Sequence, residues 1–461
     1  MAYSEAKIKE IVEKQRSYFQ SGQTQHYAFR KKQLQKLKNA IQHHEPRLRT
    51  ALAKDLGKSE YEAYVTEIGF SLYDISNTLK NLKKWMKPKK VRTPVLSQPA
   101  KSWVSRTPYG VNLLIGPFNY PVQLTLAPLT AAIAAGNTTV IKTSELTPHC
   151  SAALRDLIEE TFDPEYAVYV PGEVPETTML LKQKFDHIFF TGSPRVGSIV
   201  MQAAAKHLTP VTLELGGKSP CVVHDDANLD IAVKRVVFGK FMNAGQTCVA
   251  PDYLLVHSAI LSEFQEKLKA RIRTVFGEDP SQSPDYGRIV NERHFERILG
   301  LINPEKVILG GQSDRESRFI APTVMSRVTL EDRVMSEEIF GPVLPILEYS
   351  SLDDIYTVIS KLPQHPLAFY VFSSSSQVQQ QLTTQVQFGG GCINHCIQHL
   401  VNHNLPFGGV GESGMGSYHG LSGFENFSHK KSVLKAATWL DLPFIYPPFE
   451  KRISLMRRLL K

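Results

Sequence analysis

The 461-residue chain carries 53 Lys and Arg against 44 Asp and Glu, a formal net charge of +9, with 42% hydrophobic and 21% charged residues. That length is too great for one ordinary core and predicts two or three domains, while the composition excludes collagen, coiled coil and disorder. The basic charge is spread, densest at Lys83 to Arg92 and Lys451 to Lys461, and no nucleic-acid-binding motif accompanies it, so nucleic acid is not an expected partner.

The first twenty residues are charged and lack the apolar core of a signal peptide. Five cysteines, at 150, 221, 248, 392 and 396, are then read as reduced thiols in a cytoplasmic protein. In the N-terminal eighty residues Ile8, Ile11 and Val12, then Leu34, Leu37 and Ile41, recur at helical spacing among charges, the pattern of amphipathic surface helices. Pro88 to Pro108 is a proline-punctuated extended segment containing Trp103 and Val104.

From Gly110 apolar runs alternate with helical stretches. VNLLIG (Val111 to Gly116), TTVIK (Thr138 to Lys142), AVYVPG (Ala167 to Gly172) and HIFFTG (His187 to Gly192) read as buried strands, with helices over 122–135 and 151–161. The apolar stretch Leu126 to Ala135 is short and broken by Pro128 and Thr130, so it predicts a buried helix and no transmembrane segment. A second alternating series runs from about Pro220 to Asn394. Strands alternating with helices predict α/β domains with parallel sheets, whose strand ends bind ligands.

Five segments carry chemistry jointly. In IGPFNYP (Ile115 to Pro121) a turn presents Asn119, whose amide can donate to a developing oxyanion. In FFTGSPRVG (Phe189 to Gly197) a strand runs into Gly192, Ser193 is a good N-cap and Pro194 suits the first helical position. The free N–H groups beyond them form an anion site suited to a pyrophosphate, although the spacing is not G-x-G-x-x-G. In LELGGKSP (Leu213 to Pro220) Glu214 ends an apolar strand, where burial would raise its pKa and suit it to act as a general base. In FMNAGQTCVAPDY (Phe241 to Tyr253) Cys248 lies on a loop between a helix and the strand YLLVH, open to a substrate. EEIFGPVLP (Glu337 to Pro345) sets an acid beside an aromatic, and a carboxylate can bind a ribose diol.

In this order and spacing the segments resemble the aldehyde dehydrogenase superfamily, from roughly residue 50 to the end. LPFGGVGESGMGSYHG (Leu405 to Gly420), FSHKKSV and the late YPP (Tyr446 to Pro448) look like its class 3 branch of fatty, aromatic and medium-chain enzymes. The resemblance implies an α/β fold in three parts. A Rossmann-like NAD(P)-binding domain would comprise 1–87 and 106–214, a second α/β catalytic domain 215–400, and a small bridging and oligomerisation element 88–105 and 420–461. It also implies oxidation of an aldehyde to the acid. Cys248 would be the nucleophile that becomes a thioester, Asn119 with the Cys248 backbone N–H would hold the alkoxide, and Glu214 would activate water.

Lys142 and Glu145 match the family's adenosine-ribose contacts, Gly192, Ser193 and Gly197 its pyrophosphate helix, and Glu338 with Phe340 its nicotinamide-ribose contacts. Glu145 leans toward NAD, because a carboxylate repels a 2′-phosphate; NADP stays open. Thr143 stands where many class 3 relatives have proline. Tyr64, Tyr120, Ile393 and Phe407 are the substrate-tunnel candidates and suggest an apolar aldehyde. The branch favours a homodimer.

CINHCIQHLVNHN (Cys392 to Asn404) has zinc-ligand residue types, but Cys-x3-Cys with His-x3-His is not a usual closed-site spacing. It reads as exposed His and Cys near the tunnel, and no metal is expected. The basic tail KRISLMRRLLK reads as a solvated terminal helix, with weak contact to an anionic membrane surface as the alternative. The rival enzymatic reading is a cysteine-dependent esterase or acyl-transfer enzyme, which would leave Glu338 and the phosphate-type helix without a purpose.

Overall fold

The computed structural model describes residues 3–363, 365–441, 446–448 and 453–459. The N-terminal helices are amphipathic, as their spacing predicts. Tyr27–Leu56 buries Leu34, Leu37, Ile41, Leu48 and Leu52 completely and stops at Gly57, whose φ of 65° closes the helix in the left-handed region. Gly69–Trp85 follows, and Gln123–Ala135 is buried along its whole length, Pro128 included.

The first sheet has six strands in the spatial order Gly414–Met415, Val211–Glu214, His187–Thr191, Val111–Ile115, Thr138–Lys142 and Ala167–Tyr169. All are parallel except the two-residue edge Gly414–Met415, which runs antiparallel to Val211–Glu214 with Gly414 opposite Glu214. Buried on both faces, the central strands need continuous apolar runs, which is why they read so plainly. The strand order reverses beside Val111–Ile115, so the crevice where such a Rossmann-like sheet takes ligands opens between its carboxyl end and that of His187–Thr191.

The second sheet has seven strands, in the order Val307–Leu309, Thr323–Met325, Val343–Tyr349, Tyr253–His257, Pro220–Val223, Ala368–Phe372 and Gly390–Ile393. Only the Val307–Leu309 edge is antiparallel. The proline-punctuated segment forms a third, antiparallel sheet in which Ala100–Pro108 pairs with Lys89–Val91 and, over nine residues, with Ser428–Ala436.

In the tail, Ile453–Leu459 is helical, with Ile453, Arg457 and Arg458 exposed; Lys451, Arg452, Leu460 and Lys461 lie outside the described residues. Among the described residues no helix is long and apolar enough to cross a membrane.

Candidate active site

Cys248 lies on the loop between the helix Leu229–Phe241 and the strand Tyr253–His257. This loop turns through three consecutive left-handed residues, Asn243 (φ 54°), Ala244 (φ 51°) and Gly245 (φ 74°). For L-residues that conformation is strained, and it is held here by a dense set of bonds. The Asn243 N–H donates to Glu62 Oε1 (2.8 Å), and its Nδ2 donates to the carbonyls of Asn119 (2.8 Å) and Gln246 (3.1 Å). Gln246 Nε2 donates to the Asn243 and Arg288 carbonyls, and its Oε1 accepts from the Val290 N–H.

The turn after Val111–Ile115 is sewn to the same loop. Asn119 Nδ2 donates to the Gln246 carbonyl at 3.1 Å, and the Tyr120 hydroxyl meets Thr247 Oγ1 at 2.6 Å. Asn119 and Tyr120 thus bond to the two residues that immediately precede Cys248. Glu214, at the end of its strand, is buried with neither carboxylate oxygen hydrogen-bonded among the described residues. Burial holds its carboxyl far above the usual carboxylate range. The half-buried Cys248 thiol is itself pushed up, first by burial, then by Glu338 and Glu214. Both carboxylates therefore lie within electrostatic reach of the sulfur.

Glu338 stands on the strand-connecting loop facing Gly216 and Gly217. A Cβ on Gly216 would come within 2.3 Å of Glu338 Oε2, so a side chain there would displace this carboxylate. Its pKa rises to about 8 through burial and the neighbouring Asp252, against the pull of the Gly217 N–H, Lys218 and Arg297. Asp252 fixes the loop, accepting Lys218 Nζ at 2.5 Å and the Ile339 N–H at 2.9 Å. Phe340 is left-handed (φ 46°), and its ring meets Phe118 edge-on at 5.7 Å.

The other cofactor candidates lie at the carboxyl ends of strands of the first sheet. Ser193 caps the helix Pro194–Ala205, its side chain accepting the Val196 N–H at 3.4 Å, and a Cβ on Gly197 would strike Leu215 at 2.6 Å. The Gly192 N–H is spent on the Glu214 carbonyl. Lys142 is buried, its ammonium lowered by that burial, with Nζ 2.5 Å from the Thr143 carbonyl and 3.7 Å from Glu145. Thr143 Oγ1 bonds the hydroxyls of Tyr169 (2.5 Å) and Ser151 (2.7 Å). A capped helix start, the Lys142–Glu145 pair at the end of Thr138–Lys142 two strands away, and the Glu338 carboxylate suit the phosphates and two riboses of a dinucleotide.

The tunnel candidates divide. Tyr120 is buried, and Phe407 is buried and exchanges backbone hydrogen bonds with Tyr418. Tyr64 is 41% exposed on a one-turn π-helix and Ile393 is 45% exposed at a strand end. Tyr418 was not singled out in the sequence, although burial, Glu214 and Cys248 all raise its hydroxyl, which puts it beside the chemistry. Behind it Asp74, His403 and His419 are buried together, with His403 Nδ1 3.5 Å from Asp74 Oδ1.

The expectation of exposed groups in Cys392 to Asn404 is corrected: Cys396 and His403 are buried, and Cys392, His395 and His399 half-buried. Among the described residues the group able to gather on a metal is His224, Asp225 and Asp226, outside that stretch.

The sequence matches the model described as "Aldehyde dehydrogenase family" over residues 1–433. The chain belongs to the aldehyde dehydrogenase family. It is 47% identical over 448 residues to the 4,4'-diaponeurosporen-aldehyde dehydrogenase of Staphylococcus aureus, covering 97% of each chain. To the "dimeric NADP-preferring" aldehyde dehydrogenase of Canis lupus familiaris it is 45% identical over 445 residues, covering 96% of this chain and 98% of that one. Family 3 members stand among its other relatives, in line with a class 3-like branch. A solved structure described as the substrate-bound state of Staphylococcus aureus AldH superposes with a TM-score of 0.97 at 46% identity, covering 100% of both chains. This aldehyde dehydrogenase is an NAD(P)-dependent oxidoreductase that converts aldehydes to acids.

Proposed function

We propose that the reaction runs on Cys248, Asn119 and Glu214, with an apolar aldehyde as substrate. The observation that carries this reading is the meeting of the turn after Val111–Ile115, the end of Val211–Glu214 and the loop leading into Tyr253–His257. Asn119 bonds the residue two before Cys248, and the buried Glu214 carboxyl acts electrostatically on the Cys248 thiol.

The Cys248 thiol loses its proton to solvent, and the thiolate sulfur adds to the aldehyde carbonyl. The alkoxide so formed accepts the second Asn119 Nδ2 hydrogen, the first being held by the Gln246 carbonyl, together with the Cys248 backbone N–H. Collapse of the tetrahedral carbon expels hydride and leaves a thioester on Cys248. When bound, NAD or NADP supplies the hydride acceptor. Glu214 then takes a proton from water, whose oxygen attacks the thioester and releases the acid.

Lys142, Glu145, Gly192, Ser193, Gly197, Glu338 and Phe340 hold the dinucleotide in this reading, and Glu145 favours NAD. The rings of Tyr120 and Phe407, with Tyr64 and Ile393 toward the outside, line the approach. Residues 1–87 and 106–214 form the cofactor domain, 215–400 the catalytic domain, and 88–105 with 420–461 the element that pairs two subunits. The relative described as dimeric supports a homodimer. We place the protein in the cytoplasm on its five free cysteines.

Reduced-nicotinamide absorbance with NAD or NADP and hexanal, decanal and benzaldehyde tests the scheme. Aldehyde-dependent reduction lost in folded Cys248→Ala supports it; reduction surviving in that variant removes Cys248 from the chemistry.

A further inference from the structure

Beneath the Asn119 turn lies an ion pair that the scheme above does not use. The Lys58 and Glu67 side chains are both 0% exposed, with Nζ 2.6 Å from Oε1. Neither belongs to the strands of the first sheet: Lys58 follows the helix Tyr27–Leu56, and Glu67 stands in the π-helical turn Tyr64–Ile68. Removing two charges from water is costly, and an apolar pair of similar volume would commonly serve stability as well or better. Packing alone therefore does not account for them.

Their remaining bonds do. Lys58 Nζ also donates to the Asn119 carbonyl at 3.1 Å and sits 3.9 Å from the centre of the Tyr120 ring. The same carbonyl accepts Asn243 Nδ2, so both of its lone pairs are engaged. Glu67 Oε2 accepts the N–H groups of Val122 (3.0 Å) and Gln123 (2.9 Å), where the buried helix begins and an anion is favoured. One ion pair thus holds the chain at the Asn119 carbonyl and again at Val122 and Gln123, bracketing Tyr120 and Pro121. With the Asn119 peptide plane fixed, the direction in which its side chain leaves the backbone is fixed too.

We propose that Lys58 and Glu67 are positioning residues that hold the Asn119 amide in place for the alkoxide formed on Cys248. This rests on the role assigned to Asn119 above. The clamp acts through Asn119, so its loss slows formation and collapse of the tetrahedral species and leaves the thiol and the dinucleotide site alone.

The test is a double-mutant cycle. The paired Lys58→Met/Glu67→Gln variant removes both charges of the pair together, leaving Glu62, which Lys58 also faces, its bond from the Asn243 N–H; it is made in the wild-type and Asn119→Ala backgrounds. Single-turnover hydride formation, the KM for NAD and the rate of Cys248 alkylation by iodoacetamide are measured in all four proteins.

The paired change should slow hydride formation about tenfold to a hundredfold in the wild-type background. In Asn119→Ala it should slow it less than about twofold, because coupled residues are not additive. KM for NAD and alkylation should stay within about twofold throughout. An equal loss in both backgrounds overturns the clamp and leaves a purely structural pair. Unchanged hydride formation in Asn119→Ala alone would instead overturn the role given to Asn119.

Discussion

Gly245 offers a sharp test of how tightly the Cys248 loop is set. Its φ is +74°, and a Cβ built there would lie 2.2 Å from the Gly341 carbonyl oxygen and 2.5 Å from its carbon. Real Cβ atoms essentially never come under 3.0 Å, so Gly245→Ala must part the two loops by about 0.8 Å. The left-handed conformation adds roughly 1–2 kcal/mol for an L-residue. Asn243 and Ala244 already occupy that region and cannot absorb more, so the total loss of stability should be roughly 2–4 kcal/mol.

The loops being parted carry Cys248 on one side and Glu338 with Phe340 on the other. A displacement near 1 Å in a reacting constellation costs on the order of a hundredfold in rate. We expect kcat to fall by about that factor while Cys248 remains alkylatable, read by reduced-nicotinamide absorbance alongside thermal unfolding. Wild-type kcat in Gly245→Ala would show that the Cys248 loop moves independently of the Glu338 loop, and would refute the argument.

Two further outcomes follow from buried carboxyls. Glu214→Gln should cut steady-state turnover about 10²–10⁴-fold while sparing the first turnover, giving a burst of reduced nicotinamide that then stalls. A loss of the burst itself would assign Glu214 to the earlier steps instead. Asp74 holds its proton to about pH 7 because burial disfavours the charge, whereas an unfolded aspartate releases it near 3.8. Between those values the folded chain binds the extra proton, so stability falls as pH rises through the window, by at most about 4 kcal/mol. Asp74→Asn should gain on the wild type in thermal unfolding between pH 4.5 and 7.5; a constant difference would mean that Asp74 ionises normally.

Much of the site could be read locally. Glu214 ends an apolar run before two glycines, and Ser193–Pro194 is a helix start that needs no tertiary information. Cys248 shows itself through its place between a helix and a buried strand. What could not be read is whatever depends on distant chain meeting. Lys58 and Glu67 stand in an ordinary charged helical stretch, and nothing nearby in sequence announces that residues 119–123 will close over them. Asn243 and Ala244 are not glycines, so their left-handed turn leaves no compositional trace.

Cys396 misleads in the opposite direction. It lies in a polar run, yet its Cβ packs so close to Gly239 that a Cβ there would sit 2.6 Å away. Tyr418 lies in the motif Leu405 to Gly420, and the pairing of Gly414–Met415 with Val211–Glu214 brings it towards Glu214.

The order in which the chain is synthesised gives one strand pairing a temporal meaning. Glu214 ends a strand whose outer edge, among the described residues, is covered by Gly414–Met415, and Ser428–Ala436 closes the ladder with Ala100–Pro108 later still. Until the ribosome has released those segments, the strand bearing Glu214 is an uncovered edge, free to pair with any extended chain nearby. A nascent chain arrested after the second sheet would thus carry Cys248 and Asn119 but lack the cover over Glu214. The catalytic centre is therefore finished only once residues 414–415 have been made, about 165 residues after Cys248.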